Sequence, residues 1–188
     1  MITSSEDTPV LDLGSPILLP QFDEQSVVQS RFATSVLALL RAHLGERLDG
    51  VILEGRDALA EPEEAYAALR EAEQFTFVGM GLGAAIAEEA ALKLRESTGS
   101  WSESYLATEY RHGPISIAAP GRVVWGLGPL VPNFERDVGS TGAHLEHRHV
   151  DPMADLVRVQ RLCLLKAADL GIDPDHPRNL ARSVILDS

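Results

Sequence analysis

The sequence predicts an α/β protein with a mostly parallel sheet, and three observations carry that expectation. The run FTFV at 75–78 is apolar and strand-forming, and it ends in a glycine turn, Gly79-Met80-Gly81-Leu82-Gly83. Residues 84–95 follow with helix-forming composition throughout. After them come a strand run RVVWGLG at 122–128, a short helical stretch at 132–139 and a further strand run at 143–149. Strands that alternate with helices imply a parallel sheet joined by crossovers.

Residues 1–23 open with a polar piece and continue into PVLDLGSPILLP, which reads as a strand end and loop broken by glycine and prolines. From 26 to 43 the pattern is helical, with Val28, Phe32, Val36, Leu39, Leu40 and His43 on one face and Gly45 as the stop. Residues 50–74, rich in alanine and glutamate and interrupted at Pro62, predict a pair of helical pieces whose charges form a solvated face. Residues 151–170 form an amphipathic helix with Leu156, Val159, Leu162, Cys163 and Lys166 in register, ended by Gly171.

Composition narrows the function classes. A chain of 188 residues is long enough for one well-buried domain with extra helices. A formal charge of −12 argues against nucleic-acid binding, which needs a basic stripe, so any phosphate site must be local. No run reaches the ~20 apolar residues of a membrane span and no signal-like start is present, which predicts a cytoplasmic protein. Cys163 is the only cysteine and lies in an apolar helical run, so buried packing is its expected role.

Candidate chemistry concentrates on the helix after the glycine turn. That turn offers GxGxG rather than the GxGxxG of a dinucleotide site, so it reads as a plain strand-to-helix turn sooner than as a phosphate cradle. At 100° per residue Glu89, Lys93 and Glu96 fall in one line, between Leu92 on one side and Leu82 and Ile86 on the other. Carboxylates hemmed in by apolar groups can be tuned for acid–base work, and the same spacing also gives an ordinary helical ion pair. His144, His147 and His149 invite a metal reading, but strand alternation puts His144 opposite the other two and no nearby carboxylate completes a set. They are expected to be edge or surface histidines, with no metal bound.

The segments EEAALKLRE, SESY and EYRHGP, in that order and at these intervals, resemble the sugar isomerase (SIS) family, which handles phosphosugars. The resemblance is to the second domain of its double-domain members, in the amino-sugar isomerase and deaminase group. It covers the chain from about Gln21 onward and implies a three-layer α/β/α sandwich with a flavodoxin-like sheet. It implies that Glu96 is the proton-transferring base, that Lys93 binds substrate, and that His112 of the HGP turn reaches a neighbouring subunit's site to assist ring opening. The string EQSVVQSRFATSVLALL resembles the junction behind a first domain, with Ser26 and Val27 in the loop beside the sugar. The tail DPDHPRNLARSVIL resembles the family terminus, where a lysine reaches the sugar carbonyl; here Arg182 holds that position and cannot act as an amine nucleophile.

The expected organisation is therefore residues 1–25 as the end of a first SIS domain or a disordered leader, 26–74 as linker helices and 75–188 as the SIS domain. The expected ligand is a hexose or hexosamine phosphate, without a cofactor, in a homodimer and with a possible upstream SIS domain carrying the SxSGxT phosphate loop that this sequence lacks. Isomerase or amino-sugar-phosphate deaminase chemistry is the leading expectation. A non-catalytic sugar-phosphate-binding module is the alternative, and a third possibility makes Glu89, Lys93 and His112 interface residues with no ligand.

Overall fold

The computed structural model describes residues 1–181. Two short strands, β1 (Ile2–Thr3) and β2 (Ile17–Leu18), pair in parallel at the start of the chain, with a 3-10 turn at Pro9–Leu13 between them. Helices α1 (Arg31–His43), α2 (Asp49–Ala60) and the short α3 (Ala67–Arg70) lead into the main sheet. The sheet and its crossovers run β3 (Gln74–Gly79), α4 (Leu82–Thr98), β4 (Trp101–Leu106), β5 (Arg122–Leu127), α5 (Phe134–Gly139) and β6 (His144–His147), and α6 (Pro152–Leu170) closes the domain.

All four main strands are parallel, in the order β4-β3-β5-β6. Every residue of β3 is buried, as a central parallel strand covered on both faces requires. Alternation then divides the core. Phe75, Phe77, Val123, Trp125 and Leu127 pack with α4, α6, Tyr66 and Leu69 on one face. Val78 and Val124 pack with Tyr110, Phe134 and Val138 on the other. The result is the expected three-layer sandwich, although the second helical layer is thin: 3-10 turns at Tyr110–His112 and Pro114–Ile117 replace a full helix between β4 and β5.

The glycine turn serves packing. A Cβ on Gly83 would lie 2.1 Å from the carbonyl oxygen of Leu127, and one on Gly79 would lie 2.3 Å from the Gly83 carbonyl group. Helix α4 therefore sits closer to the β3–β5 edge than any side chain would permit. At its other end Gly99 takes the left-handed conformation at φ +67° and its N–H bonds the Arg95 carbonyl.

Helix α6 follows the sequence pattern closely. Asp151 caps it by accepting from the Met153 N–H, and Leu156, Val159, Leu162, Cys163 and Lys166 are all buried. Lys166 is satisfied there by the carbonyls of Arg70 and Ala72 at 2.8 and 3.0 Å. Helix α1 starts later than its pattern, at Arg31, leaving 26–30 as a loop.

The charges at 50–74 are not merely a solvated face. Glu61 accepts from Arg148 and from Arg158 Nε (3.1 Å), and Arg158 Nη1 also reaches Glu146 (2.7 Å) and Asp155 (3.0 Å). Trp125 Nε1–H donates to Asp155 at 2.9 Å beneath the same guanidinium. This buried network ties the end of α2 and strand β6 to α6. None of the described helices is long and apolar enough to cross a membrane.

Candidate functional site

The line of charges predicted on α4 is present and largely buried. The Lys93 side chain is 8% exposed and its Nζ lies 2.6 Å from Glu96 Oε2 and 3.7 Å from Glu89 Oε1. One ammonium thus stands between two half-buried carboxylates. Burial pushes the Glu89 carboxyl above its usual range; Lys93 opposes the shift and Glu96 adds to it. The Glu89 oxygen facing Lys93 has no hydrogen-bond partner among the described residues.

Lys93 opens onto a small cleft of about 180 Å³ between α4, α6 and the loop before α1. Ser97 and Cys163 form its inner wall, and Glu24, Ser26, Ser30, Gln160 and Asp175 supply its polar rim. Ser26, predicted beside the sugar, does line it, and its hydroxyl oxygen accepts from the Val28 N–H. Val27 is held nearby through its N–H to the Asp175 carbonyl at 3.4 Å, a backbone contact only.

Glu24 organises this loop. Its carboxylate accepts from Ser30 N–H, Ser30 Oγ and Phe32 N–H, closing the start of α1. Burial works against its ionisation, yet the N–H bonds from Phe32, Ser30 and Arg31 outweigh it and hold the carboxyl below its usual range. Cys163 is no nucleophile: burial pushes its thiol up to about 12, against a smaller opposing bond from Ser97.

Glu96 faces a second cavity of 460 Å³, shared with Leu92, Arg95, Ile172 and the chain from Arg178 to Leu180. Arg182 lies outside the described residues, but the stretch leading to it runs along this cavity.

His112 is not brought to Glu96 within one chain. Helix α4 starts at the carboxyl end of β3 and returns to the amino end of β4, so Glu96 sits at the amino-terminal edge of the sheet. His112 is exposed beyond the carboxyl end of β4, and six residues of strand separate the two edges by roughly 20 Å.

One sequence expectation needs correction. A carboxylate does join the histidines: Glu135 Oε1 lies 3.5 Å from His147 Nδ1, and His149 belongs to the same cluster. His147 is on the edge strand β6, as expected, with its side chain only 7% exposed. Spacing hid this because α5 delivers Glu135 from the β5–β6 connection. Sequence reasoning also missed Glu24 and Gln160. The Gln160 amide nitrogen is buried without a partner among the described residues, and its place three residues before Cys163 on α6 was the available signal.

No family model matches the chain. The glutamine–fructose-6-phosphate aminotransferase (isomerizing) of Tropheryma whipplei (strain Twist) is 30% identical over 153 residues, covering 63% of this chain and 25% of that protein. The chain spans about a quarter of the length of the curated relatives it matches. Among solved structures, glucosamine-6-phosphate deaminase from Thermotoga maritima superposes with a TM-score of 0.77 at 22% identity, covering 98% of this chain and 66% of that one. Tagatose-6-phosphate ketose/aldose isomerase from Escherichia coli gives 0.70 at 16%, covering 100% and 63%. The curated relatives share sequence with this chain and the solved structures share its fold, and both match the resemblance to sugar isomerase (SIS) domains.

Proposed function

We propose that the chain binds a hexose or hexosamine phosphate and serves an aldose–ketose isomerase or amino-sugar-phosphate deaminase reaction with Glu96 as the proton-transferring base. The observation that carries this is the Lys93–Glu96 contact at 2.6 Å, half-buried between two cavities. Moving a hydrogen between adjacent sugar carbons needs a carboxylate that removes a proton beside a carbonyl and returns it to the neighbouring carbon. Lys93 fixes the rotamer of Glu96 and places a positive charge where an enediolate would develop. The Ser26 hydroxyl and the Gln160 amide nitrogen, which has no partner among the described residues, offer hydrogen bonds to sugar hydroxyls.

His112 would act on a second copy's site, which makes a dimer part of the proposal. Arg182 would bind phosphate or polarise an oxygen. The lack of an SxSGxT string in the 188 residues and the arginine at 182 favour, as a second reading, a module that binds the sugar phosphate without turning it over.

The test is a thermal-shift panel of hexose and hexosamine 6-phosphates against the free sugars and inorganic phosphate, with turnover followed in parallel. A ligand at 100 times its Kd stabilises by about 2.7 kcal/mol, or about 5–10 °C for a chain of this size. Stabilisation with turnover supports the enzyme, and stabilisation without it supports the binding module. No response to any phosphosugar would contradict both.

A further inference from the structure

The geometry points to a second site, separate from Lys93 and Glu96: a divalent transition-metal site formed by Glu135, His147 and His149, with zinc the best chemical match. One ligand atom from each of the three residues can be chosen so that all lie within 4.8 Å of one another. Two ligands bound to a tetrahedral zinc at 2.0–2.1 Å lie about 3.4 Å apart, and the Glu135 Oε1 to His147 Nδ1 distance is 3.5 Å. The His149 ring stands edge-on to that of His147, centroids 4.9 Å apart.

His147 is built for this role. Its Nε2 lies 3.0 Å from the Gly128 carbonyl oxygen, which can only accept, so Nε2 carries the hydrogen, and in the neutral ring the Nδ1 lone pair is left facing Glu135. Two acceptors then face each other, an arrangement that a cation between them satisfies. Metal-bound histidines characteristically donate their other ring N–H to a carbonyl in this way. Gly126, the register partner of His147 on β5, leaves room for the ring, since a Cβ there would come within 3.1 Å of His147 Cδ2. Glu135 and His149 are exposed, which gives an ion access from solution. His149 also lines a 650 Å³ cleft with Arg41, Arg47 and Asp151, so the ion would sit at the wall of a cleft that carries two arginines.

The test is titration of chelator-treated full chain with zinc chloride by calorimetry, with cobalt(II) absorption as a report on geometry. Expected are one zinc per chain and tetrahedral cobalt bands. Glu135→Gln and His149→Ala should each weaken binding tenfold or more, whereas His144→Ala, on the opposite face of β6, should leave it unchanged. Absence of stoichiometric uptake, or uptake that both variants leave intact, would overturn the site and reduce the cluster to an imidazolium–carboxylate pair or to adventitious binding elsewhere.

Discussion

Replacing Arg158 with methionine should cost the fold about 3–5 kcal/mol. The guanidinium is 2% exposed, and it is the cation that faces Asp155, itself 1% exposed, as well as contacting Glu61 and Glu146. Without it Asp155 keeps, among the described residues, only the Trp125 N–H, and breaking one side of a buried pair leaves an uncompensated charge worth about that much. At about 2–4 °C per kcal/mol for a chain of this size, Tm should fall by about 6–20 °C. Urea unfolding should show a lower midpoint with an unchanged slope. Acidity should narrow the deficit. Burial already raises the Asp155 carboxyl pKa, against the Trp125 bond and Arg158, and loss of the cation raises it further. A carboxyl raised in the folded state costs stability as pH climbs through the window between its unfolded and folded values, and that cost is relieved on returning below it. A loss under about 1 kcal/mol at neutral pH, or a deficit that acid leaves untouched, would refute the reasoning.

Glu24→Gln should destabilise by about 1–2 kcal/mol at pH 7, because a charged cap of three donors becomes a neutral one. Its carboxyl is held low in the fold, so that stability is present above the unfolded pKa and is lost as pH falls through the folded one. Denaturation midpoints of the two proteins should therefore converge below about pH 4. Glu89→Gln should have the opposite sign: its carboxyl is raised by burial, so the variant should melt higher at pH 7 and the gain should shrink on acidification. Gly83→Ala should cost about 3 kcal/mol, the upper end for overpacking, since the obstacle is the Leu127 backbone; a calorimetric Tm within 2–4 °C (about 1 kcal/mol) of the parent would show that α4 can slide.

What the sequence made legible is what is local. Strand β3, helix α4 and helix α6 announce themselves because their apolar residues recur at the period of the element. The Lys93–Glu96 contact was visible because i,i+3 neighbours must share a helix face. The late start of α1 was not visible, since its first N–H groups are capped by Glu24 from a preceding loop rather than by its own N-cap side chain. The Arg158 network was equally hidden: Glu61 is 97 residues away, and no periodicity marks a charge destined for the core. The cluster of Glu135 with His147 and His149 depends on α5 folding back beside β6, a tertiary event that strand alternation alone cannot report.

The most direct test of the proton-transfer proposal is deuterium uptake at carbon 2 of glucose 6-phosphate and of glucosamine 6-phosphate in heavy water, followed by proton NMR with the full chain and with Glu96→Gln. A base at Glu96 predicts loss of the carbon-2 proton signal with the parent chain. The rate should drop by about 10²-fold or more in the variant, with phosphosugar binding and fold retained. Uptake that proceeds equally in both proteins would contradict the assignment of Glu96. A parent chain that binds the phosphosugar yet exchanges no proton would leave the domain a binding module.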